Sequence, residues 1–583
     1  MESKNMKILQ TVVDDNYIAT LKQWTEEITD VNHSVLFHIY VPYELDDGWQ
    51  QVQQVYENLS KVFPNPQCIG CSANGEIYDG GITDGEIVVS ATICEDPDTK
   101  ITVLPYFILR ERMEDKEFME SLQAVSNLRG IEMVSAAEYQ RMEDAGHYID
   151  LLPESVEVFG GVAVGDEDHP AYVFANGEVC SYDGTVFAVY SGPNLHMEAI
   201  RMFGWKAIGY PFEVTRSDGP IIYELDHKPA YDVYNHYLHI DKDKNFFYEA
   251  LEFPWEVEVG DGIDGYIRHA KSVQPDGAIV MSSTIPQGSR VRMTYGDPRR
   301  MIDHTKRAGE RICAFSPDAL ILINCMGRKL FWAERCNDEV RELARYAPSV
   351  GFSALGEIMR YRSTTLLNNL SIVAVAMREG EAKQTAPVDD SHVVQTAELP
   401  ITARLAIFIN TITEELMEKN QQLNEMLYKA SHDYLTGMFN RGAIESMIYN
   451  TSEENWYLMM FDLDDFKQIN DTYGHAEGDG VLQDIANYLV PQVKNNNRID
   501  VGRWGGEEFM VLGRDYSQEE IMEIAECIRD QVKNPEVMHR PITVSIGLTK
   551  HQPGESAKDV IDRVDALLYR AKNEGKDRIC SDI

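Results

Sequence analysis

Residues 504–509 read Trp-Gly-Gly-Glu-Glu-Phe, and well upstream of them Asp462 closes the run Met459-Met460-Phe461-Asp462. Two adjacent acids, Glu507 and Glu508, on a glycine turn and facing an acid at the end of an apolar strand are what a two-metal nucleotide site requires. A carboxylate at the end of an apolar strand is costly unless it is paired or bound to a cation. Hard oxygen ligands of this kind are what Mg²⁺ prefers. Gly505 and Gly506 suit a two-residue hairpin with positive φ angles, and a glycine-only tip lets a bulky nucleotide approach the backbone.

The elements that hold these residues follow from the surrounding pattern. Trp456 to Phe461 predicts a strand ending at Asp462, and Asp464 and Asp465 then open a helix carrying Phe466, Lys467, Ile469 and Asn470. Acids at a helix N-terminus suit its dipole, so capping is the plain structural role for Asp464 or Asp465. Val501 to Trp504 and Glu507 to Leu512 read as two strands around the glycine turn.

The whole chain sets limits on function. At 583 residues it is long enough for several domains, and its 44% hydrophobic content can build their cores. No run approaches the roughly 20 apolar residues of a membrane span. The start, MESKNMKILQ, does not resemble an export signal. A soluble, cytoplasmic protein is expected. Nine cysteines are too sparse for a disulfide framework. Cys68 and Cys71 form a CxxC in an apolar run, which reads as buried strand, with redox or metal binding as the alternative. A net charge of -42 repels a phosphate backbone and argues against nucleic acid as a partner. It does not exclude nucleotides held by a few local cations and divalent metal.

Self-comparison finds Gly70-Cys-Ser-Ala-Asn-Gly-Glu-Ile77 again as Gly351-Phe-Ser-Ala-Leu-Gly-Glu-Ile358. Each copy has a strand candidate (35–40; 319–325) and a helical stretch (49–62; 338–346) before it, and another strand (87–93; 372–377) after it. An α/β multidomain chain with a duplicated α/β module is expected, its halves at 30–225 and 226–378. A polar linker at 379–398 leads to a helix over 399–430. There Ile409, Ile412, Leu416, Lys419, Leu423, Met426 and Ala430 form a short heptad seam. A parallel coiled-coil dimer is the favoured reading of this seam, and packing on its own domain the alternative.

The segments DYLTGMFNR (433–441), FDLDDFKQINDTYGHAEGD (461–479), RWGGEEF (503–509), ITVSIG (542–547) and DALLYRAKNEGK (565–576) resemble the GGDEF family of diguanylate cyclases. The resemblance covers 431–583, about a quarter of the chain. It implies a palm-like domain that condenses two GTP into cyclic di-GMP and releases pyrophosphate, working as a homodimer because each domain holds one GTP. Carried over by position, Asp462, Glu507 and the Leu463 carbonyl would bind two Mg²⁺ ions, with Mn²⁺ as a substitute. Glu508 would lie beside the ribose 3′-oxygen, and Asn470 and Asp479 would read the guanine edge. Lys467, Lys572 and Lys576 would hold phosphates beside the Gly505-Gly506 turn. The alternative is a catalytically silent module that binds GTP or cyclic di-GMP.

Two positions depart from the family pattern. Lys576 stands where arginine is usual, keeping the charge but not the bidentate geometry. The inhibitory product site, Arg-x-x-Asp in many members, falls here on Asn496 and Ile499, while Arg498 and Asp500 are out of register. Product feedback through that site is not expected.

The duplicated region resembles the FIST sensory domain, in its N and C parts, through GCSANGEI, FGGVAVGD (159–166), GWKAIG (204–209), PAYDVY (229–234), NCMGR (324–328) and GFSALGEI. The resemblance implies a sensor of small ligands such as amino acids. Glu76 and Glu357 would meet a ligand ammonium between the halves, and Arg328 a ligand carboxylate; the alternative is solvated hairpin glutamates and a surface arginine.

Overall fold

The computed structural model describes residues 6–28, 33–106, 120, 122–136, 149–181, 184–242, 245–259, 263–361, 364–383, 401–452, 454–493 and 496–583. Two compact units divide the chain, Met1–Thr413 and Glu414–Ile583.

Three six-stranded sheets in the first unit share one plan. The first repeat has β1 (Lys7–Val12), β2 (Ser34–Pro42) and β3 (Gln67–Ala73), then a hairpin of β4 (Glu76–Tyr78) and β5 (Gly81–Thr83), then β6 (Val88–Cys94). The second has β7 (Lys100–Tyr106), β8 (Leu128–Ser135), β9 (Glu157–Val162), β10 (Tyr172–Ala175), β11 (Glu178–Ser181) and β12 (Thr185–Ser191). The third starts with β13 (Leu195–Met202). After an insertion holding β14 to β21 (205–296), it resumes as β22 (Ala319–Cys325), β23 (Ser349–Ala354), β24 (Glu357–Tyr361), β25 (Thr364–Asn368) and β26 (Ile372–Glu379).

In each repeat the second and third strands are parallel, the last lies antiparallel to the second, and the first lies antiparallel to the last. The hairpins are exchanged in a cycle. β4 pairs with β23 of the third repeat, β10 with β3 of the first, and β24 with β9 of the second. Backbone bonds close the ring: Asn74 N–H donates to Ser353 O (3.1 Å), Leu355 N–H to Val162 O (2.9 Å) and Val164 N–H to Ser72 O (2.9 Å). The module is thus threefold, where the sequence predicted two copies.

What survives of the motif in the middle repeat is chiefly Gly160, in FGGVAVGD. A Cβ on Gly70, Gly160 or Gly351 would lie 1.8, 1.8 or 1.7 Å from a carbonyl oxygen of the parallel neighbour, so all three repeats need glycine there. The insertion forms an eight-stranded sheet with its own core around Tyr234, Phe246 and Trp255. The expected division at 225/226 falls inside this sheet, in the turn between β15 (Ile221–Leu225) and β16 (Lys228–Pro229).

One buried cluster draws on all three repeats and includes Tyr40, Phe159 and Phe352. His38 Nε2 lies 3.1 Å from the Glu132 carboxylate, which also accepts from Tyr190 Oη at 2.7 Å. Cys68 and Cys71 are buried in β3, and burial pushes both thiols well above the usual range, consistent with strand packing.

The residues expected to meet a sensory ligand are placed otherwise. Glu76 and Glu357 sit on exchanged hairpins and are fully buried. Burial pushes Glu76 up to about 9, against the opposing pull of Lys329, and Glu357 up to about 8, against hydrogen bonds such as that from Ser371 Oγ (2.5 Å). Burial favours the protonated form of both, so neither is presented as a charged partner for an ammonium group. Arg328 is buried, with Nη2 and Nε on Glu339 at 2.7 and 2.8 Å and Nη1 on the Phe203 and Leu370 carbonyls. Its donors are committed within the fold, so the expected carboxylate contact is not made available.

Most of the expected linker, residues 384–398, lies outside the described residues. Helix Ile401–Ser431 follows. Of its seam, Ile409, Ile412, Leu416, Leu423 and Met426 are exposed, while Ala406 and Asn410 are buried. Among the described residues no helix is long and apolar enough to cross a membrane.

The second unit is a five-stranded sheet ordered β28-β29-β27-β30-β31. Its strands are β27 (Trp456–Leu463), β28 (Ile499–Gly505), β29 (Glu508–Arg514), β30 (Val544–Lys550) and β31 (Ile579–Ser581). β27 is central. Its alternate residues enter two cores, with Tyr457, Met459, Phe461 and Leu463 on one face and Trp456, Leu458 and Met460 on the other. Burial on both faces explains the continuous apolar run.

Candidate active site

Strand pairing brings the acids together. Asp462, near the end of β27, lies directly opposite Glu508 on β29 and Ser545 on β30. Glu507 is in the adjoining turn, where its carbonyl accepts from Leu463 N–H at 3.4 Å. Lys572, in helix Ala557–Asn573, puts Nζ 2.8 Å from Asp462 Oδ2.

Burial pushes the Asp462 carboxyl up to about 6; Lys572 pulls it down, and Glu507 and Glu508 push it further up. The Glu508 carboxyl is also raised, first by burial, with Lys572 opposing. One lysine therefore offsets part of the repulsion among three acids, which favours further positive charge at this point.

The turn differs from the sequence expectation. Gly505 still pairs with Glu508, and the two central turn residues are Gly506 and Glu507. A register shift between Arg503 and Gly505 moves the turn along by one. Only Gly506 takes a positive φ, of 51°. A Cβ on Gly505 would meet nothing within 4 Å. Neither backbone conformation nor neighbours require glycine at 505, so open space above the tip is the feature it preserves.

Asp464 and Asp465 do not cap the helix Phe466–Tyr473. Asp465 is its N-cap residue in a left-handed conformation, without a side-chain cap bond, and it pairs with Lys576 Nζ at 2.6 Å. Asp464 is buried and accepts from Thr543 Oγ1 (2.8 Å), Ser545 Oγ (2.7 Å) and Asp577 N–H (3.0 Å), tying β27 to β30 and the C-terminal turn. Lys576 thus reaches this corner through an aspartate partner.

Asn470 and Asp479 come from two successive helices, Phe466–Tyr473 and His475–Val493. A Cβ on Gly478 would lie 2.0 Å from Asn470 Oδ1, so that glycine gives the carboxamide its seat. Asp479 and Lys467 are exposed, one on each helix.

Two arginines that the sequence pattern leaves without a function brace the turn. Arg503 Nη1 lies 3.1 Å from Asp433 Oδ1, and Arg503 Nε donates to Gly506 O at 3.0 Å. Arg441 lies over the Trp504 ring at 4.6 Å. A charged residue in a strand beside a glycine turn was the available signal, but its partner 70 residues away was not.

Among the described residues no group of three His, Cys, Asp or Glu side chains converges as a ready-made metal cage. Were Asp462, Glu507 and the Leu463 carbonyl to hold a cation, Mg²⁺ would suit them, since it keeps waters and takes phosphate oxygens as its other ligands. The raised Asp462 carboxyl fits a site that becomes fully ionised when a cation arrives.

Residues 430–578 match the model of the diguanylate cyclase GGDEF domain, 46–228 that of the FIST N domain and 230–360 that of the FIST C domain. The chain carries FIST N, FIST C and GGDEF domains, in that order. It is similar to diguanylate cyclase DgcM of Escherichia coli K12, 34% identical over 197 residues, covering 32% of this chain and 47% of that protein. It is also similar to diguanylate cyclase VdcA of Vibrio cholerae, 32% identical over 180 residues, covering 29% of this chain and 52% of that one. The chain thus spans about half the length of these curated relatives. Among solved structures, the coiled coil and GGDEF domain of DgcB from Caulobacter crescentus, in complex with c-di-GMP, is 29% identical. That match covers 31% of this chain and 98% of that one, with a TM-score of 0.28.

Proposed function

We propose that the GGDEF domain is a diguanylate cyclase regulated by the FIST module. The observation that carries this is the pairing of Asp462 with Glu508 across β27 and β29, beside Lys572 and under an open glycine tip. The cyclase names of DgcM and VdcA support the same reading.

In this reading Asp462, Glu507 and the Leu463 carbonyl hold two divalent ions, Mg²⁺ or Mn²⁺. When bound, these supply Lewis acidity at the ribose 3′-oxygen and at the departing pyrophosphate. Asn470 and Asp479 read the guanine edge through its N3 acceptor, N2 amine and N1 proton. Lys467, Lys572 and Lys576 hold phosphate oxygens, Lys572 and Lys576 moving from their aspartate partners. Glu508 faces the 3′-hydroxyl as base or charge stabiliser.

The 3′-oxygen forms a bond to the α-phosphorus of the second GTP while the bond from that phosphorus to the β-phosphate oxygen breaks. Pyrophosphate leaves, and a second such step closes the ring. Since each domain binds one GTP, two must face each other. The exposed residues Ile409, Ile412, Leu416, Leu423 and Met426 supply an apolar seam for a parallel homodimer.

The test is to incubate the full chain with GTP or ATP and Mg²⁺ and separate the products by chromatography. Cyclic di-GMP from GTP alone is expected, and loss of it in Asp462→Ala and Glu508→Ala. Guanine-nucleotide binding without any condensation, under every ligand condition tried, would instead indicate a silent binding module.

A further inference from the structure

The strongest unassigned feature is a cavity of about 410 Å³ in the first unit. Tyr248 and Phe253 line it from helix Phe246–Leu251 and the residues after it, Tyr295 from β21 (Arg290–Gly296), and Phe331 from helix Met326–Trp332. Ala406, in the helix that runs on to Ser431, lines it as well.

Its size is that of a small-molecule site. The wall is built for it. A Cβ on Gly296 would lie 2.4 Å from the Phe331 ring, so glycine there lets the ring lie against the strand. Tyr248, a large side chain lining the cavity, is exposed.

Chemistry narrows the occupant. Four aromatic side chains line the cavity, Glu252 is its charged lining residue, and no lysine, arginine or histidine lines it among the described residues. Aromatic faces attract cations, and a carboxylate at the rim completes the match. An anionic group, including the carboxylate of an amino acid, has no basic partner here.

We infer that this cavity binds a small organic cation with an apolar or aromatic body, and that the helix Ile401–Ser431 senses its occupancy through Ala406. The helix is suited to that task. Ala406, a lining residue of the cavity, is buried while Leu405, Phe408 and Ile409 are exposed, so the helix meets the cavity through Ala406. The inference deepens the proposed regulation and rests on it only for the output, not for the binding.

The test uses the full chain and phenethylamine as probe, with phenylacetate and 2-phenylethanol as the anionic and neutral controls of similar shape. Calorimetric titration should show binding of the amine and none of the acid. Glu252→Gln, at an exposed position, should weaken the amine by roughly tenfold. Ala406→Phe, checked for its native circular dichroism, should abolish binding by filling the space. Hydrogen exchange over residues 404–413 should slow on amine binding.

Absence of amine binding, equal binding of all three compounds, or an unchanged affinity in Glu252→Gln would overturn the site. Binding that leaves exchange over 404–413 unchanged would overturn the role of the helix. Cyclic di-GMP synthesis is followed separately, so failure of the cyclase reading leaves these binding results intact.

Discussion

Arg503 clasps Asp433 with one guanidinium nitrogen at 3.1 Å while another donates to the Gly506 carbonyl at 3.0 Å. The side chain therefore ties the glycine turn to the residue two positions beyond helix Ile401–Ser431. Thr436 and Arg503 hydrogen bonds hold the Asp433 carboxyl below its usual range despite the opposing effect of burial. Arg503→Lys keeps the charge but cannot make both contacts at once. It should lower cyclic di-GMP formation on the order of ten- to a hundredfold through misplacement of Glu507 and Glu508. Steady-state assay of the purified variant checks this, and near wild-type turnover would show that the clasp does not position the turn.

Gly505→Ala separates substrate approach from folding. Since a Cβ there meets nothing within 4 Å and φ is not positive, the melting temperature should change little. The added methyl group stands where a nucleotide would approach, so GTP turnover should fall at least tenfold, by an energy of roughly 1.4 kcal/mol. Equal losses of stability and activity would assign the glycine a folding role.

Much of the second unit was legible in the sequence because its strands are buried on both faces and its acids stand at strand ends. β27 and the Asp462-Glu507-Glu508 set could be read from an apolar run and a glycine turn. Asp464 could not: its partners Thr543, Ser545 and Asp577 lie on other elements, and an acid ahead of a helix looks like a cap. The threefold plan of the first unit was hidden for a related reason. Exchange of hairpins places Glu76 and Glu357 opposite residues of other repeats, Phe352 and Gly161, so that neither partner is local in sequence.

Product feedback should be weak. Asn496, at the expected arginine position, donates to Tyr516 Oη at 2.8 Å, and Ile499 is buried. The nearby Arg498 stacks over Tyr516 at 3.8 Å and bonds the Asp515 carbonyl, while Asp500 pairs with Arg514 at 2.7 Å. No Arg-Asp pair is presented in the required register. Initial rates should therefore persist in micromolar cyclic di-GMP, and strong noncompetitive inhibition would contradict this.

The Asp462 carboxyl gives a pH dependence whose direction is fixed. Its folded value of about 6 exceeds the unfolded value of about 3.9, so the protonated form is favoured in the fold. Its stabilising contribution without metal is fully present below about 4 and is lost as pH rises through about 6. Asp462→Asn should raise the stability of metal-free protein at pH 7.5 by roughly 1 kcal/mol, allowing for solvent screening, while abolishing synthesis. For the wild type, Mg²⁺ competes with the proton, so synthesis should fall below about pH 6 and partly recover with more Mg²⁺. Thermal melts with and without Mg²⁺, and rates across this range, check both signs.

Arg328 decides between a ligand contact and an internal one. Its guanidinium and the Glu339 carboxylate are both buried, and Thr305 Oγ1 and Trp332 Nε1 also donate to Glu339. Removing one partner of such a pair leaves an uncompensated buried charge, which costs roughly 3–5 kcal/mol. Arg328→Met should therefore lower the melting transition of the first unit markedly. Arg328→Met combined with Glu339→Gln should recover part of that loss, because the stranded charge is removed together with its partner. A ligand-binding arginine predicts the opposite pattern, in which the single variant melts normally and loses only response to ligand. Chemical unfolding of the single and double variants, followed by tryptophan fluorescence, distinguishes the two.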